Sequence, residues 1–112
     1  MISVPKGTST DIVVSLKDGD GSQYQLKDGE KLILSVKSSI YSNAYLLSKT
    51  ITKEAYNSSL EGYVFEIEVS DTANLDFGKY LYDIALQTAS EFFIVCPCDV
   101  FEVADVVSRR VS

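Results

Sequence analysis

The residue types that could support chemistry in this sequence fall into a few small groups: Cys96-Pro97-Cys98, Asp18-Gly19-Asp20-Gly21-Ser22, Glu66 with Glu68, and seven tyrosines. Each has to be weighed against an absence. The chain contains no histidine, which removes the commonest general base, the Ser-His and Cys-His nucleophile pairs and most zinc sites. A C-x-C pair offers two thiolates, but zinc takes four ligands and there is no further cysteine. A disulfide between Cys96 and Cys98 would close a very small, strained ring. Both read as free thiols in a chain made in a reducing cytoplasm, with oxidation or intermolecular pairing as the alternative. Asp18, Asp20 and Ser22 have the odd spacing of a calcium loop, yet such a loop would need Gly at 23 and Glu at 29, where this chain has Gln23 and Gly29. The two Asp-Gly pairs read instead as a tight turn. Glu66 and Glu68 on one strand face would sit about 6.5 to 7 Å apart, within reach of an inverting glycosidase spacing. An exposed strand face carries such pairs routinely. No catalytic residue, metal ligand set or cofactor is assigned, and the expectation is a protein that is not an enzyme.

The tyrosines divide by position. Tyr24, Tyr41, Tyr45 and Tyr56 fall in or beside expected loops, where a ring and a hydroxyl suit a protein interface or a sugar platform. Tyr63, Tyr80 and Tyr82 fall on expected core faces. Tyr80 is placed where a tyrosine corner would return its hydroxyl to the preceding backbone.

At 112 residues the chain has room for one domain. The expectation is a single domain over residues 1–112, with 107–112 a mobile tail. Hydrophobic residues make up 46% and charged residues 23%, a globular balance. The net charge of −6 would repel a phosphate backbone, so nucleic acid is not an expected partner. The acids are concentrated late: residues 1–56 hold seven basic and six acidic residues, residues 57–112 three basic and ten acidic. No apolar stretch approaches the roughly 20 residues that span a bilayer, and Met1-Ile2-Ser3-Val4-Pro5-Lys6 lacks the apolar core of a secretory signal. Neither a membrane nor export is expected. Asn57-Ser58-Ser59 is a formal sequon without a secretory context.

The elements that must position these groups are strands. Period-two alternation places Ile12, Val14 and Leu16 on one face of Asp11–Lys17, Leu32, Leu34 and Val36 on one face of Lys31–Lys37, and Tyr63, Phe65, Ile67 and Val69 on one face of the clearest strand. Tyr24–Leu26 reads as a short extended piece, Tyr45–Thr52 as a strand, and Lys53–Glu61 as a loop with a helical turn near its start. Ser70–Leu75 has capping residues and length for one turn only. Tyr80, Tyr82, Ile84 and Leu86 form the core face of Lys79–Gln87. Pro97 has no ladder donor, so Glu91–Val107 reads as Phe92–Cys96, an interruption over Pro97–Asp99, then Val100–Val106. Turn signals every eight to twelve residues imply an all-β fold, an antiparallel Ig-like β-sandwich of about seven strands, with a barrel as the alternative.

Lys6-Gly7-Thr8, the Asp18–Ser22 turn, the run Gly29-Glu30-Lys31-Leu32-Ile33-Leu34-Ser35-Val36-Lys37, Asp71-Thr72-Ala73-Asn74-Leu75 and Phe77-Gly78-Lys79-Tyr80-Leu81-Tyr82-Asp83-Ile84-Ala85-Leu86 together resemble small β-sandwich proteins of bacteriophage and prophage structural modules. The nearest type is the N-terminal domain of siphophage baseplate upper proteins. The resemblance spans nearly the whole chain in order. It departs at Cys96-Pro97-Cys98-Asp99, where those proteins often have a glycine-containing turn. It implies assembly of a tail or baseplate, other phage structural proteins as partners, a place in the virion after synthesis in the bacterial cytoplasm, and no catalytic residues. A carbohydrate-binding or host-adhesion module is the alternative, and a thiol-dependent enzyme using Cys96 or Cys98 comes third.

Phe92-Phe93-Ile94-Val95 is apolar at successive positions, although a strand with one solvated face should alternate. One of its faces is therefore expected to be covered, either by the tail from Val103 to Val111 or by another chain, and a homo-oligomer is expected because sheet edges must be paired or blunted. Phe92, Phe93, Tyr41, Tyr45 and Tyr56 are the candidate protein-interface residues. One expectation is testable without a structure. If Asp18–Ser22 is only a turn, millimolar calcium leaves the melting temperature unchanged, because a ligand stabilises in proportion to its binding of the native state. A rise of several degrees that a chelator reverses would show a metal site.

Overall fold

Alternating side chains and short turns build two sheets in the computed structural model, which describes residues 2–17, 21–39 and 45–104. The strands are β1 (Ile2–Pro5), β2 (Thr10–Val14), β3 (Lys31–Lys37), β4 (Leu47–Ile51), β5 (Tyr56–Asn57), β6 (Gly62–Ile67), β7 (Gly78–Gln87) and β8 (Phe92–Ala104), with one short helix, α1 (Val69–Ala73), between β6 and β7. A five-stranded sheet has the order β1-β8-β7-β3-β4 and a three-stranded sheet the order β2-β6-β5. The fold is all-β.

The core lies between the sheets. From the large sheet come Val4, Leu32, Leu34, Val36, Tyr82, Ile84, Leu86, Phe101 and Val103, and from the small one Tyr63, Phe65 and Ile67, all buried. Phe65, Ile67, Tyr82 and Ile84 all belong to this one buried cluster, on the faces that the alternation of their strands predicts. At the foot of β6 its neighbour β2 approaches closely: a Cβ on Gly62 would lie 2.9 Å from the Val14 carbonyl oxygen and 2.7 Å from the Val13 side chain. Only glycine fits there.

The structure departs from the sequence reading at several elements. β1 was not expected, and it pairs in parallel with the end of β8, Ile2 beside Phe101 and Val4 beside Val103, in a fold expected to be antiparallel throughout. The named strands number eight rather than about seven. β2 ends at Val14, and Leu16 is buried beyond it. Tyr24–Leu26, read as a short extended piece, joins no sheet, and just before it Lys17 and Gln23 form an isolated bridge. β4 begins at Leu47, not Tyr45. The polar segment after it holds a 3-10 turn at Lys53–Ala55 and the two-residue β5.

β6 stops at Ile67 because the next residues cap a helix. The Asp71 carboxylate accepts the Glu68 amide at 2.7 Å and also pairs with Lys49 at 2.7 Å. That satisfies one of the orphan donors of the first turn. Val69 accordingly starts α1 instead of ending the strand, and Glu66 and Glu68 do not share a strand face.

The largest difference concerns Pro97. β8 runs unbroken from Phe92 to Ala104, where an interruption over Pro97–Asp99 was expected. The missing donor is absorbed by irregular pairing: Tyr82 faces Asp99, Ile84 faces Cys96 and Ala85 faces Ile94, so β8 carries one extra residue in each step. Such bulges let a strand continue past a residue that cannot complete the ladder.

Phe65 is fully buried. Phe65→Ala should therefore cost about 3 to 5 kcal/mol in chemical denaturation. A loss below about 1 kcal/mol would mean that the site collapses around the missing ring.

Candidate interaction surface

The first half of β8 is bonded to β7 on one side, while β1 reaches only Phe101–Ala104 on the other. Among the described residues, no strand pairs with the outer side of Phe92–Val95. The side chains there are as open as the backbone. Phe92 is 62% exposed, Phe93 46%, Ile94 50% and Val95 38%, whereas Phe101 and Val103 farther along β8 are buried.

Pairing fixes which way these residues point. Phe93 lies opposite buried Leu86, so it belongs to the core face, and with Val95 it overhangs a groove of about 520 Å³ shared with Leu16, Tyr24, Leu86 and Thr88. Ile94 lies opposite Ala85, which in turn lies opposite Ile33. Those three form an apolar row across the outer face of the large sheet. Both faces and the edge of one strand are thus apolar together.

Of the residues singled out from sequence, Phe92 and Phe93 form this surface. Tyr45 is elsewhere: 60% exposed, with the Lys37 ammonium 4.7 Å above its ring, it lines a shallow pocket of about 230 Å³ with Ser35, Leu81, Asp83 and Cys98. Tyr56 is half-buried in β5 and packs edge-on against Tyr63, ring centres 5.2 Å apart. That ring supports the core. Tyr24 is half-buried too, and its hydroxyl donates to Glu30 at 2.7 Å. Tyr41 lies outside the described residues, as do Asp18, Asp20 and the segment 105–112. Of the tail expected to cover Phe92–Val95, Val103 and Ala104 are instead part of β8 beside β1. The groove residues Leu16 and Leu86 were readable as apolar but not as neighbours of Phe93, since they come from segments far apart in the chain.

The three core tyrosines each use the hydroxyl. The Tyr63 hydroxyl accepts the Leu26 amide at 2.6 Å, and the Tyr80 hydroxyl donates to the Asp76 carbonyl at 2.8 Å, the corner anticipated from sequence. Tyr82 meets the Cys96 sulfur at 3.8 Å. The bulges separate the two cysteines: Cys96 packs against the core, whereas Cys98 is exposed. Asp99 is held below the ordinary carboxylate range, first by the Val100 amide, which it accepts at 2.7 Å.

No family model, curated protein or solved structure matches the chain. No helix among the described residues is long and apolar enough to cross a membrane.

Burial first, then the Cys96 contact and the nearby Asp99 charge, push the Tyr82 phenol from 10.0 up to about 12. A phenol is neutral when protonated, so the unfolded chain gives up this proton at lower pH than the folded one. The linked stability is complete below about pH 10 and is lost as pH rises toward 12. Ultraviolet titration should find the Tyr82 phenol ionising about two units above the ordinary value of 10.0, together with alkaline unfolding. Tyr82→Phe should remove that late step. Its persistence in the variant would assign it to another tyrosine.

Proposed function

We propose that this chain is a non-enzymatic structural or assembly module of a phage or prophage particle, acting in the tail or baseplate through protein–protein contacts. The observation that carries the reading is the bare apolar strand Phe92–Val95, which sits on an edge where folded proteins ordinarily place charge, proline or cover. A surface of that kind suits a partner protein better than a small substrate.

The finer fold assignment is an Ig-like sandwich. Its support is topological: β8, β7 and β3 sit side by side in one sheet with β4 added at the margin, while β2, β6 and β5 form the other, as the strands of a variable-type domain do. The Tyr80 corner falls where β7 begins after the β6–β7 connection, which is its place in that fold. The tryptophan and inter-sheet disulfide of antibody domains have no counterpart, because there is no tryptophan and both cysteines lie in β8, two positions apart. The motif order that resembles siphophage baseplate domains supplies the particle context, the virion as location and other structural proteins as partners.

Host adhesion is the second reading, favoured by exposed Tyr45 beside Lys37 over a shallow pocket. An antibody raised against the chain should label purified phage particles from the producing bacterium, and the purified chain should bind nothing on a glycan array. Glycan binding lost in Tyr45→Ala would move the assignment to adhesion. Absence from purified particles would overturn both.

A further inference from the structure

We infer that the outer face of the large sheet carries a binding site for a compact zwitterion, a free α-amino acid in its simplest form, held between the Lys37 ammonium and the Asp83 carboxylate. The inference goes beyond the assembly reading and does not depend on it.

Strand pairing places the two charges. Leu34 and Val36 in β3 and Tyr82 and Ile84 in β7 are buried, so the alternate residues Ser35, Lys37 and Asp83 point away from the core. Lys37 lies opposite Leu81 and Ser35 opposite Asp83, which makes Lys37 and Asp83 diagonal neighbours about 7 to 8 Å apart at the backbone. On the other side of β7 the ladder opens at the same point. Tyr82 faces Asp99 and Ile84 faces Cys96, so Asp83 stands against the two-residue step of Pro97 and Cys98, a bulge of the kind that re-aims side chains. Cys98 thereby joins Ser35, Lys37, Tyr45, Leu81 and Asp83 around a hollow of about 230 Å³.

The two charges do not neutralise each other. The Lys37 ammonium sits 4.7 Å over the Tyr45 ring, drawn to the negative face of the aromatic system, and among the described residues neither Lys37 nor Asp83 takes part in an ion pair. The hollow is therefore lined by one cation and one anion, each open to a ligand.

That lining selects the ligand. A simple anion would be repelled by Asp83 and a simple cation by Lys37, while a neutral sugar would displace water from both charges without pairing either. An α-amino acid, with its ammonium and carboxylate about 3 Å apart, pairs both at once through charge-assisted bonds of about 2.8 Å. Size points the same way. The hollow is smaller than the roughly 300 to 1,000 Å³ of sites for drug-sized molecules, and a ligand of so few atoms binds in the millimolar range.

Titration of the nitrogen-15-labelled chain with glycine at constant ionic strength, followed by amide chemical shifts, tests the site. Shifts at Ser35, Lys37 and Asp83 should saturate with a dissociation constant of about 1 to 30 mM. Acetate and methylammonium, each of which keeps one of the two bonds, should bind about tenfold more weakly. Asp83→Asn and Lys37→Met, both on the solvent side of the sheet and checked for folding by circular dichroism, should each weaken glycine binding by about the same factor. Shifts that stay linear up to about 100 mM glycine would overturn the inference. So would acetate or methylammonium matching glycine, or undiminished glycine binding in either folded variant.

Discussion

Three strands have to cover five. With strands about 4.8 Å apart, the small sheet spans roughly half the width of the large one, and the apolar inner face of the large sheet extends past it. Much of the remaining architecture follows from that mismatch. Where connections are available they supply the missing cover: Leu16 and Leu26, from the long β2–β3 connection, are buried although neither lies in a strand, and α1 comes back toward β4 through the Asp71–Lys49 pair. Where none among the described residues reaches, at the head of β8, apolar side chains stand in solvent.

The covering segments are irregular and cannot satisfy their own backbone, so side chains fasten them. The Tyr63 hydroxyl, itself in the core, takes the Leu26 amide, and the wholly buried Thr72 hydroxyl takes the Gly7 amide. Each such bond ties a loop to a strand or helix of the opposite part of the fold, with sequence separations of 37 and 65. Among the described residues no buried side-chain polar atom lacks a partner, which is the condition under which polar groups inside a small core stop being a cost. The Asp28–Gly29–Glu30 turn is held likewise: Glu30 accepts the Lys27 amide and the Tyr24 hydroxyl, which keep its carboxyl below the usual range, while Lys53 pairs with Asp28 from the 3-10 turn.

Period-two alternation made β3, β6 and β7 readable, and with them the buried set Leu32, Leu34, Val36, Phe65, Ile67, Tyr82 and Ile84, because a face buried against another sheet must show that period. β1 escaped because four residues ending at a proline carry too short a pattern, and its parallel pairing escaped because alternation specifies a face, never a partner. Val69 was misassigned for a local reason: its apolarity continued the strand pattern, while the competing signal, Asp71 capping Glu68, lay in polar residues. Pro97 lacks a ladder donor and so signals an interruption over Pro97–Asp99, but β8 bulges there instead of ending. At the surface, Phe92 and Phe93 stood out because two-faced apolarity is visible in one segment, whereas Tyr56 did not reveal its packing on Tyr63, since residue type alone does not say what a ring touches. Their groove partners were hidden by sequence distance.

A bare apolar edge is also an aggregation hazard, and the same irregularities that let β8 pass Pro97 limit it. The extra residues near Val95 and between Cys96 and Asp99 twist the strand and break its register, so only a few residues from Phe92 onward offer an edge regular enough to pair. A partner strand can engage over that length and no further. At the opposite margin of the sheet, β4 alternates Ser48, Lys49 and Thr50 and holds Lys49 in an ion pair, which makes it a poor template for the apolar head of β8. A head-to-tail contact between β8 and β4, which would continue into a fibre, is disfavoured by that mismatch.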